Sequence, residues 1–242
     1  MPLTVHLFPC LTDNYGFLVR DEASGATAAV DTPDADRILA ELEGLGWGRL
    51  DLILNTHWHP DHTQGNAAIQ SATGCRILGP EEVRRVAPLD QVIAGGDVVA
   101  LGETTFQIDH TPGHTLGHVT LRSVADRIAF VGDVLFPMGC GRLFEGAPEQ
   151  MWDSFRILMS WPDETVLYGA HEYAASNARF ALTLDDRPEM KAHTDAVFAR
   201  RERDEPTIPT TVGVEKAFNP FLRAADAADF AARRAAKDAF RG

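Results

Sequence analysis

A chain of 242 residues with 45% hydrophobic residues and a formal net charge of −13 is long enough for one large domain with an appendage, and has the apolar content for a real core. The acidic balance argues against a nucleic-acid partner, which selects a basic face, but leaves room for an anionic small substrate, because salt screens exposed charge beyond about 8 to 10 Å. No stretch approaches the roughly 20 apolar residues that cross a bilayer, and the widely spaced Cys10, Cys75 and Cys140 form neither a C-x-x-C pair nor a disulfide framework.

Met1-Pro2-Leu3-Thr4-Val5-His6-Leu7-Phe8 lacks a basic leader and a long apolar segment, so it reads as a first strand, and the expected location is the cytoplasm. Nothing in the composition calls for a dimer, and a monomer is the expectation. Asp34, after Pro33, is placed to cap a helix over 34–45. Leu50-Asp51-Leu52-Ile53-Leu54 is a short apolar run of the kind that forms a buried strand.

That strand runs into Thr56-His57-Trp58-His59-Pro60-Asp61-His62 and then into a helical stretch. The ligand-type residues therefore occupy a strand-to-helix turn at the carboxyl edge of a sheet, where α/β proteins commonly display them. His57 and His59 are two apart and point the same way only from an extended or tightly turned backbone. Asp61 and His62 are adjacent and project differently. The arrangement suits two metals side by side.

The strand-like Thr104–Asp109 leads into His110-Thr111-Pro112-Gly113-His114-Thr115-Leu116-Gly117-His118, a tight turn by its proline and glycines. His114 sits at the tip and is the ligand candidate, His118 is expected to brace the loop through hydrogen bonds, and His110 is assigned to strand-end packing. Arg127–Val131 ends in Gly132-Asp133, and Glu164–Tyr168 ends in Gly169-Ala170-His171. Taken singly, Asp133 is a turn former and His171 a strand-end histidine. Repeating the construction of strand, small residue and ligand type makes both of them ligand candidates.

The collected set is His57, His59 and His114 for one metal, Asp61, His62 and His171 for the other, and Asp133 shared. Imidazole and carboxylate without thiolate suits zinc, iron or manganese. Two such cations about 3.5 to 4 Å apart acidify a bridging water to hydroxide and polarise a carbonyl, so the implied chemistry is hydrolysis. Helix 148–159 belongs to the part before His171. After it the strand signal stops, and 174–184, 189–203 and 224–240 read as helices, the last as a solvent-facing one.

The T-H-x-H-x-D-H run, with His114, Asp133 and His171, resembles the metallo-β-lactamase superfamily. The resemblance implies an α/β fold, the four-layer αβ/βα sandwich, here with a small C-terminal helical domain: residues 1–171 catalytic, 172–242 substrate-binding. Leu11-Thr12-Asp13-Asn14-Tyr15, Gly132-Asp133-Val134-Leu135-Phe136, Gly139-Cys140-Gly141-Arg142-Leu143-Phe144-Glu145-Gly146, Gly169-Ala170-His171-Glu172-Tyr173 and Asn219-Pro220-Phe221-Leu222-Arg223 are similar to the hydroxyacylglutathione hydrolase (glyoxalase II) family. This implies cleavage of S-D-lactoylglutathione to D-lactate and glutathione in methylglyoxal detoxification. Asp61 and Asp133 are the implied catalytic carboxylates, two divalent metals, zinc first, the cofactors, and Arg142, Tyr173 and Arg223 the grip on glutathione. Guanidinium groups pair with its carboxylates through parallel hydrogen bonds. Phe144 and Asp226 depart from the family pattern, which carries a tyrosine and a second basic residue there in some members. The alternatives are another thioesterase or lactonase of the superfamily, or a persulfide dioxygenase, which needs a single redox-active iron.

Overall fold

The computed structural model describes residues 3–242. They fall into two compact units. The first runs to His110 and resumes over Gly117–Phe130, and the second comprises Thr111–Leu116 and Val131–Gly242. Packing density draws this division, a different criterion from the division at residue 171 expected from the sequence.

The first unit opens with β1 (Leu3–Cys10), β2 (Asn14–Asp21) and β3 (Thr27–Val30), continues through α1 (Ala35–Gly44), β4 (Leu52–Leu54), α2 (Pro60–Thr63), α3 (Asn66–Thr73) and β5 (Arg76–Gly79), and closes its first sheet with β6 (Gln91–Val92). The six strands follow one another in order across that sheet. β1 pairs antiparallel with β2 from Leu3↔Asp21 to Cys10↔Asn14, while β3, β4 and β5 are parallel, with Ala29 opposite Ile53 and Ile53 opposite Ile77. Every residue of β3 and β4 is buried, as expected for parallel strands covered on both faces.

Asp34 caps α1 by accepting from Arg37 N at 3.1 Å. Ile38 and Leu42, one turn apart, put its apolar stripe into a core with Phe8, Leu18, Ile53, Ile69 and Ile77. β7 (Val98–Leu101), β8 (Thr104–His110), β9 (Val119–Ser123) and the start of β10 (Ile128–Gly132) follow as an antiparallel meander. In β8, Thr104, Phe106 and Ile108 are buried while Thr105 and Gln107 are exposed, the period-2 alternation of a sheet with one buried face. Phe17 of β2 meets Phe130 of β10 edge-on at 5.5 Å, so the two sheets face each other within this unit.

The second unit holds β11 (Leu135–Phe136) and β12 (Gly139–Cys140), a two-stranded hairpin, then α4 (Pro148–Met159), β13 (Val166–Gly169), α5 (Ala174–Leu184), α6 (Pro188–Glu202), β14 (Thr210–Thr211), α7 (Val212–Phe218) and α8 (Ala227–Ala239). β14 pairs antiparallel with β13. Met138, Ala174, Ala178, Ala181, Met190 and Val197 form one core. Phe155 packs edge-on against Phe230 at 5.2 Å, joining α4 to α8. The last helix begins three residues later than its composition predicts, because Asp226 caps it by accepting from Asp229 N at 2.9 Å. Among the described residues, no helix is long and apolar enough to cross a membrane.

Candidate metal centre and the adjoining cavity

The first unit gathers His57, His59, Asp61 and His62 beyond the end of β4. The anchor is Asp31, just past β3, buried and held at φ 56°, a left-handed conformation that Asp tolerates better than most residues. Its carboxylate accepts from Thr56 N, Thr56 Oγ1 and His62 Nδ1, each at 2.8 Å. With Nδ1 bonded, Nε2 is the His62 nitrogen left to ligate. Asn55 Nδ2 donates to His62 O at 2.9 Å, tying the strand end to the turn.

His57 Nε2 lies 3.0 Å from His59 Nδ1, and the His57 and His62 rings are 4.0 Å apart. Pro60 occupies the first turn of α2, where its missing N–H costs nothing, and the adjacent Asp61 and His62 follow it. Asp61 Oδ2 lies 3.5 Å from His62 Nε2 and accepts from Asn14 Nδ2 at 3.0 Å. His118 is fully buried and stacks on His57 at 4.9 Å. Asp31 and Asn14 are hydrogen-bond partners of His62 and Asp61 that sequence reasoning missed. For Asp31 the signal was there: it follows a strand just as the other site residues do.

The second unit gathers His114, Asp133 and His171. Gly113 has φ 143°, and a Cβ there would meet Met151 Cβ at 2.7 Å, so the turn that presents His114 requires glycine. Ser154 Oγ fixes it by donating to Pro112 O at 2.7 Å. His114 Nδ1 donates to Arg142 O at 2.8 Å, while Nε2 lies 3.2 Å from Asp133 Oδ2. The other carboxylate oxygen, Oδ1, lies 3.3 Å from His171 Nε2. Gly141 crosses close behind them: a Cβ would press into Asp133 O and lie 2.9 Å from His114 Nδ1. Tyr173 stacks on His171 with ring centroids 4.9 Å apart and planes 5° apart.

The donor chemistry fits divalent metal ions. His57, His62, His114, His171 and Asp133 are all buried, the set contains imidazole and carboxylate but no thiolate, and both His62 and His114 have their Nδ1 hydrogen-bonded away from the ligating nitrogen. Buried imidazole and carboxylate with such partners is the donor set of zinc, iron or manganese sites.

Beside His114 and Asp133 the second unit has a cavity of about 390 Å³ lined by Cys140, Gly141, Arg142, Phe144, Tyr173, Arg234, Lys237 and Arg241 among others. Arg142 and Tyr173, two of the three residues that the resemblance implies for glutathione, both line it, and Phe144, 62% exposed, sets its ring edge-on to His114 at 5.2 Å. Two of the four cationic side chains in the lining, Arg234 and Lys237, come from α8. Arg234 Nη1 donates to Cys140 O at 3.0 Å and Nη2 pairs with Asp238 Oδ1 at 2.8 Å. Lys237 Nζ donates to Ser176 O at 2.9 Å, and burial, then repulsion from Arg234, Arg179 and Arg142, pushes its pKa down to about 8. Burial pushes the Cys140 thiol up to about 11.

Arg223 is not among the residues lining this cavity. Its Nη1 bonds the Asp185 carboxylate, beside Arg187 and Arg233 in a separate surface pocket. Arg187 first, then Arg223, holds the Asp185 carboxyl well below the usual carboxylate range. Asn219 and Phe221 of the same segment point inward, both fully buried, which leaves Arg223 to the outside. Asp226 is accounted for as the α8 cap. The place of Arg234 and Lys237 in the cavity lining was missed because an Ala- and Arg-rich helix reads as solvent-facing. The signal available was Phe230, Arg234 and Lys237 at helical spacing along one face.

Residues 24–171 match the family model of the metallo-beta-lactamase superfamily, and residues 172–240 that of the hydroxyacylglutathione hydrolase C-terminus. The hydroxyacylglutathione hydrolase of Erythrobacter litoralis (strain HTCC2594) is 47% identical over 251 residues, covering 98% of this chain and 100% of the relative. That of Maricaulis maris (strain MCS10) is 50% identical over 228 residues, covering 93% and 89%. The crystal structure of ETHE1 from Myxococcus xanthus aligns with a TM-score of 0.74 over 96% of this chain and 90% of that one, at 24% identity. This last likeness speaks to fold alone, and it bears out the α/β metallo-β-lactamase sandwich expected from the sequence. Two family models that together span nearly all of the chain, and full-length relatives at almost half identity, establish that the chain belongs to the metallo-β-lactamase superfamily and, within it, to the hydroxyacylglutathione hydrolase family.

Proposed function

We propose that this protein hydrolyses the thioester of S-D-lactoylglutathione and related 2-hydroxyacylglutathiones, releasing D-lactate and glutathione, as a step of methylglyoxal removal. The observation that carries the reading is the full-length similarity to a hydroxyacylglutathione hydrolase, 47% over 98% of the chain. The cationic cavity beside His114 and Asp133 supports it, since glutathione carries two carboxylates for guanidinium and ammonium groups to pair with.

In this reading His57, His59 and His114 hold one divalent metal, Asp61, His62 and His171 a second, and Asp133 both. The supports are the donor chemistry and the two Asp133 oxygens, each directed at a different imidazole. The metal is zinc, with iron and manganese as the alternatives that metal analysis separates. When bound, two such ions supply an acidified water as nucleophile and a Lewis acid for the carbonyl oxygen. The chain's own part is positional. Asp31 turns His62 Nε2 toward the site, Arg142 O does the same for His114, and Asn14 holds one oxygen of Asp61. Residues 172–242 act as the substrate-binding segment, with Arg234 and Lys237 joining Arg142 and Tyr173 around glutathione. The leaving thiolate needs no strong acid help, because free thiols have pKa values near 8.5. The proposal extends to a monomer working in the cytoplasm.

The test compares S-D-lactoylglutathione with the D-lactoyl thioester of N-acetylcysteamine, which keeps the scissile bond but lacks both carboxylates. The expected kcat/KM is at least about 100-fold higher for the glutathione thioester, matching two lost charge-assisted contacts of about 1.5 kcal/mol each. Equal kcat/KM values would refute a glutathione pocket.

A further inference from the structure

The turn joining β11 to β12 has its main chain bonded by side chains from elsewhere in the second unit. Asn177 Nδ2 donates to Pro137 O at 3.1 Å. Met138 N donates to Glu215 Oε2 at 2.9 Å, and Asn219 Nδ2 donates to Gly139 O at 2.9 Å and Phe136 O at 3.3 Å. Met138 itself is held in the left-handed region at φ 55°.

Glu215 and Asn219 are one helical turn apart at the end of α7 and are joined to each other, Asn219 Nδ2 donating to Glu215 Oε2 at 2.9 Å. Thr210 Oγ1 completes the group by donating to Glu215 Oε1 at 2.7 Å. Both side chains are almost wholly buried, at 1% and 0% exposure. A buried carboxyl is costly unless its oxygens are well bonded, and here three donors converge on it. Removing it would leave Met138 N–H without that partner in a buried site.

The consequence lies one residue further along. The outgoing strand of the hairpin leads into Cys140, Gly141 and Arg142, the wall of the cavity. Cys140 O accepts from Arg234 and Arg142 O from His114. The wall is thus suspended between α8 on one side and the Glu215–Asn219 group on the other. We infer that Glu215, acting with Asn219, is a positioning residue for substrate: it fixes the 136–139 turn so that Cys140–Arg142 meets glutathione in the right place. The inference rests on the glutathione reading given above.

The test is steady-state kinetics of Glu215→Ala and Glu215→Gln on S-D-lactoylglutathione, with metal content measured on each. Glutamine keeps an acceptor for Met138 N–H and the shape of the group. Glu215→Ala is expected to raise KM about tenfold with kcat within about threefold and full metal content, and Glu215→Gln to restore KM to within about twofold. A merely structural role lowers the active fraction, hence kcat, and leaves KM alone. A folded Glu215→Ala with unchanged KM, or a Gln variant that fails to restore it, overturns the inference. Where Glu215→Ala does not fold, Thr210→Val removes one donor only; a KM about threefold higher supports the inference and an unchanged KM overturns it. Wild-type protein that turns over no glutathione thioester would instead remove the reading on which the inference rests, so the two failures are distinct.

Discussion

Asp133 Oδ2 lies 3.2 Å from His114 Nε2, on the opposite side of the imidazole from the Nδ1 that donates to Arg142 O at 2.8 Å. The ring is therefore fixed in one tautomer and one orientation by a main-chain carbonyl of the same loop that lines the adjoining cavity. The orientation of His114 and the cavity wall depend on one segment. Disturbing either should disturb both.

Gly141 tests that coupling. A methyl group there would be driven into Asp133 O and against His114 Nδ1, with no flexible side chain to give way. Gly141→Ala is expected to cost about 1–3 kcal/mol of stability and to lower metal content and activity together, read by chemical denaturation and metal analysis. A variant with wild-type stability and full metal loading would show that the loop relaxes freely.

Asp31 does for His62 what Arg142 O does for His114. Partners of this kind alter metal affinity by about 10- to 100-fold when removed. Asp31→Ala is accordingly expected to weaken metal binding by that factor in a chelator competition. It is also expected to lose stability, because Thr56 loses both of its bonds to the carboxylate. Unchanged affinity would mean that His62 is held by something else.

A glutathione grip built from the cavity lining, as proposed, uses Lys237 and not Arg223, which gives opposite predictions for two basic residues. Lys237→Ala is expected to raise KM for the glutathione thioester about tenfold with little change in kcat, the pattern of lost uniform binding. Arg223→Ala is expected to leave KM unchanged. Its partly exposed pair with Asp185 is worth at most about 1 kcal/mol of stability. The comparison reads out in steady-state kinetics, and a reversed order would return the grip to Arg223.

Glu215 makes stability depend on pH. Burial pushes its carboxyl up to about 7 from 4.5, against the pull of donors from Thr210, Asn219 and Met138. Between those values the folded state binds more protons than the unfolded chain, so this contribution is fully present below about pH 4.5 and is lost as pH rises through 7. Relative to Glu215→Gln, the wild type should lose about 2 kcal/mol between pH 5.5 and 8.5, the 1.5 units below 7 at about 1.4 kcal/mol per unit. Urea denaturation of both proteins at the two pH values measures it. Parallel pH dependence in wild type and variant would place the Glu215 pKa at an ordinary value.

The ligand candidates were legible because His57, His114, Asp133 and His171 each follow the end of a strand, and His59, Asp61 and His62 crowd into the same short run as His57, patterns that local sequence carries. The helices over 148–159 and 174–184 were legible for the same reason, their apolar spacing being local. What was not legible depends on which way a side chain faces after a long-range turn. Arg223 follows a motif whose Asn219 and Phe221 are structural, and the chain turns it toward Asp185. Arg234 and Lys237 lie on a helix whose one large apolar side chain is Phe230, and only its packing through Phe230 against α4 shows which face is inward. Asn14 meets Asp61 across 47 residues of sequence, beyond the reach of any local pattern.

The central claim is a metal-dependent glutathione thioesterase. Its most direct test is thiol release from S-D-lactoylglutathione by the purified protein, before metal removal, after it, and after metal is restored. Release is expected to be lost with the metal and regained at two equivalents per chain. Full release from metal-free protein, or none from protein holding two metals, would contradict it.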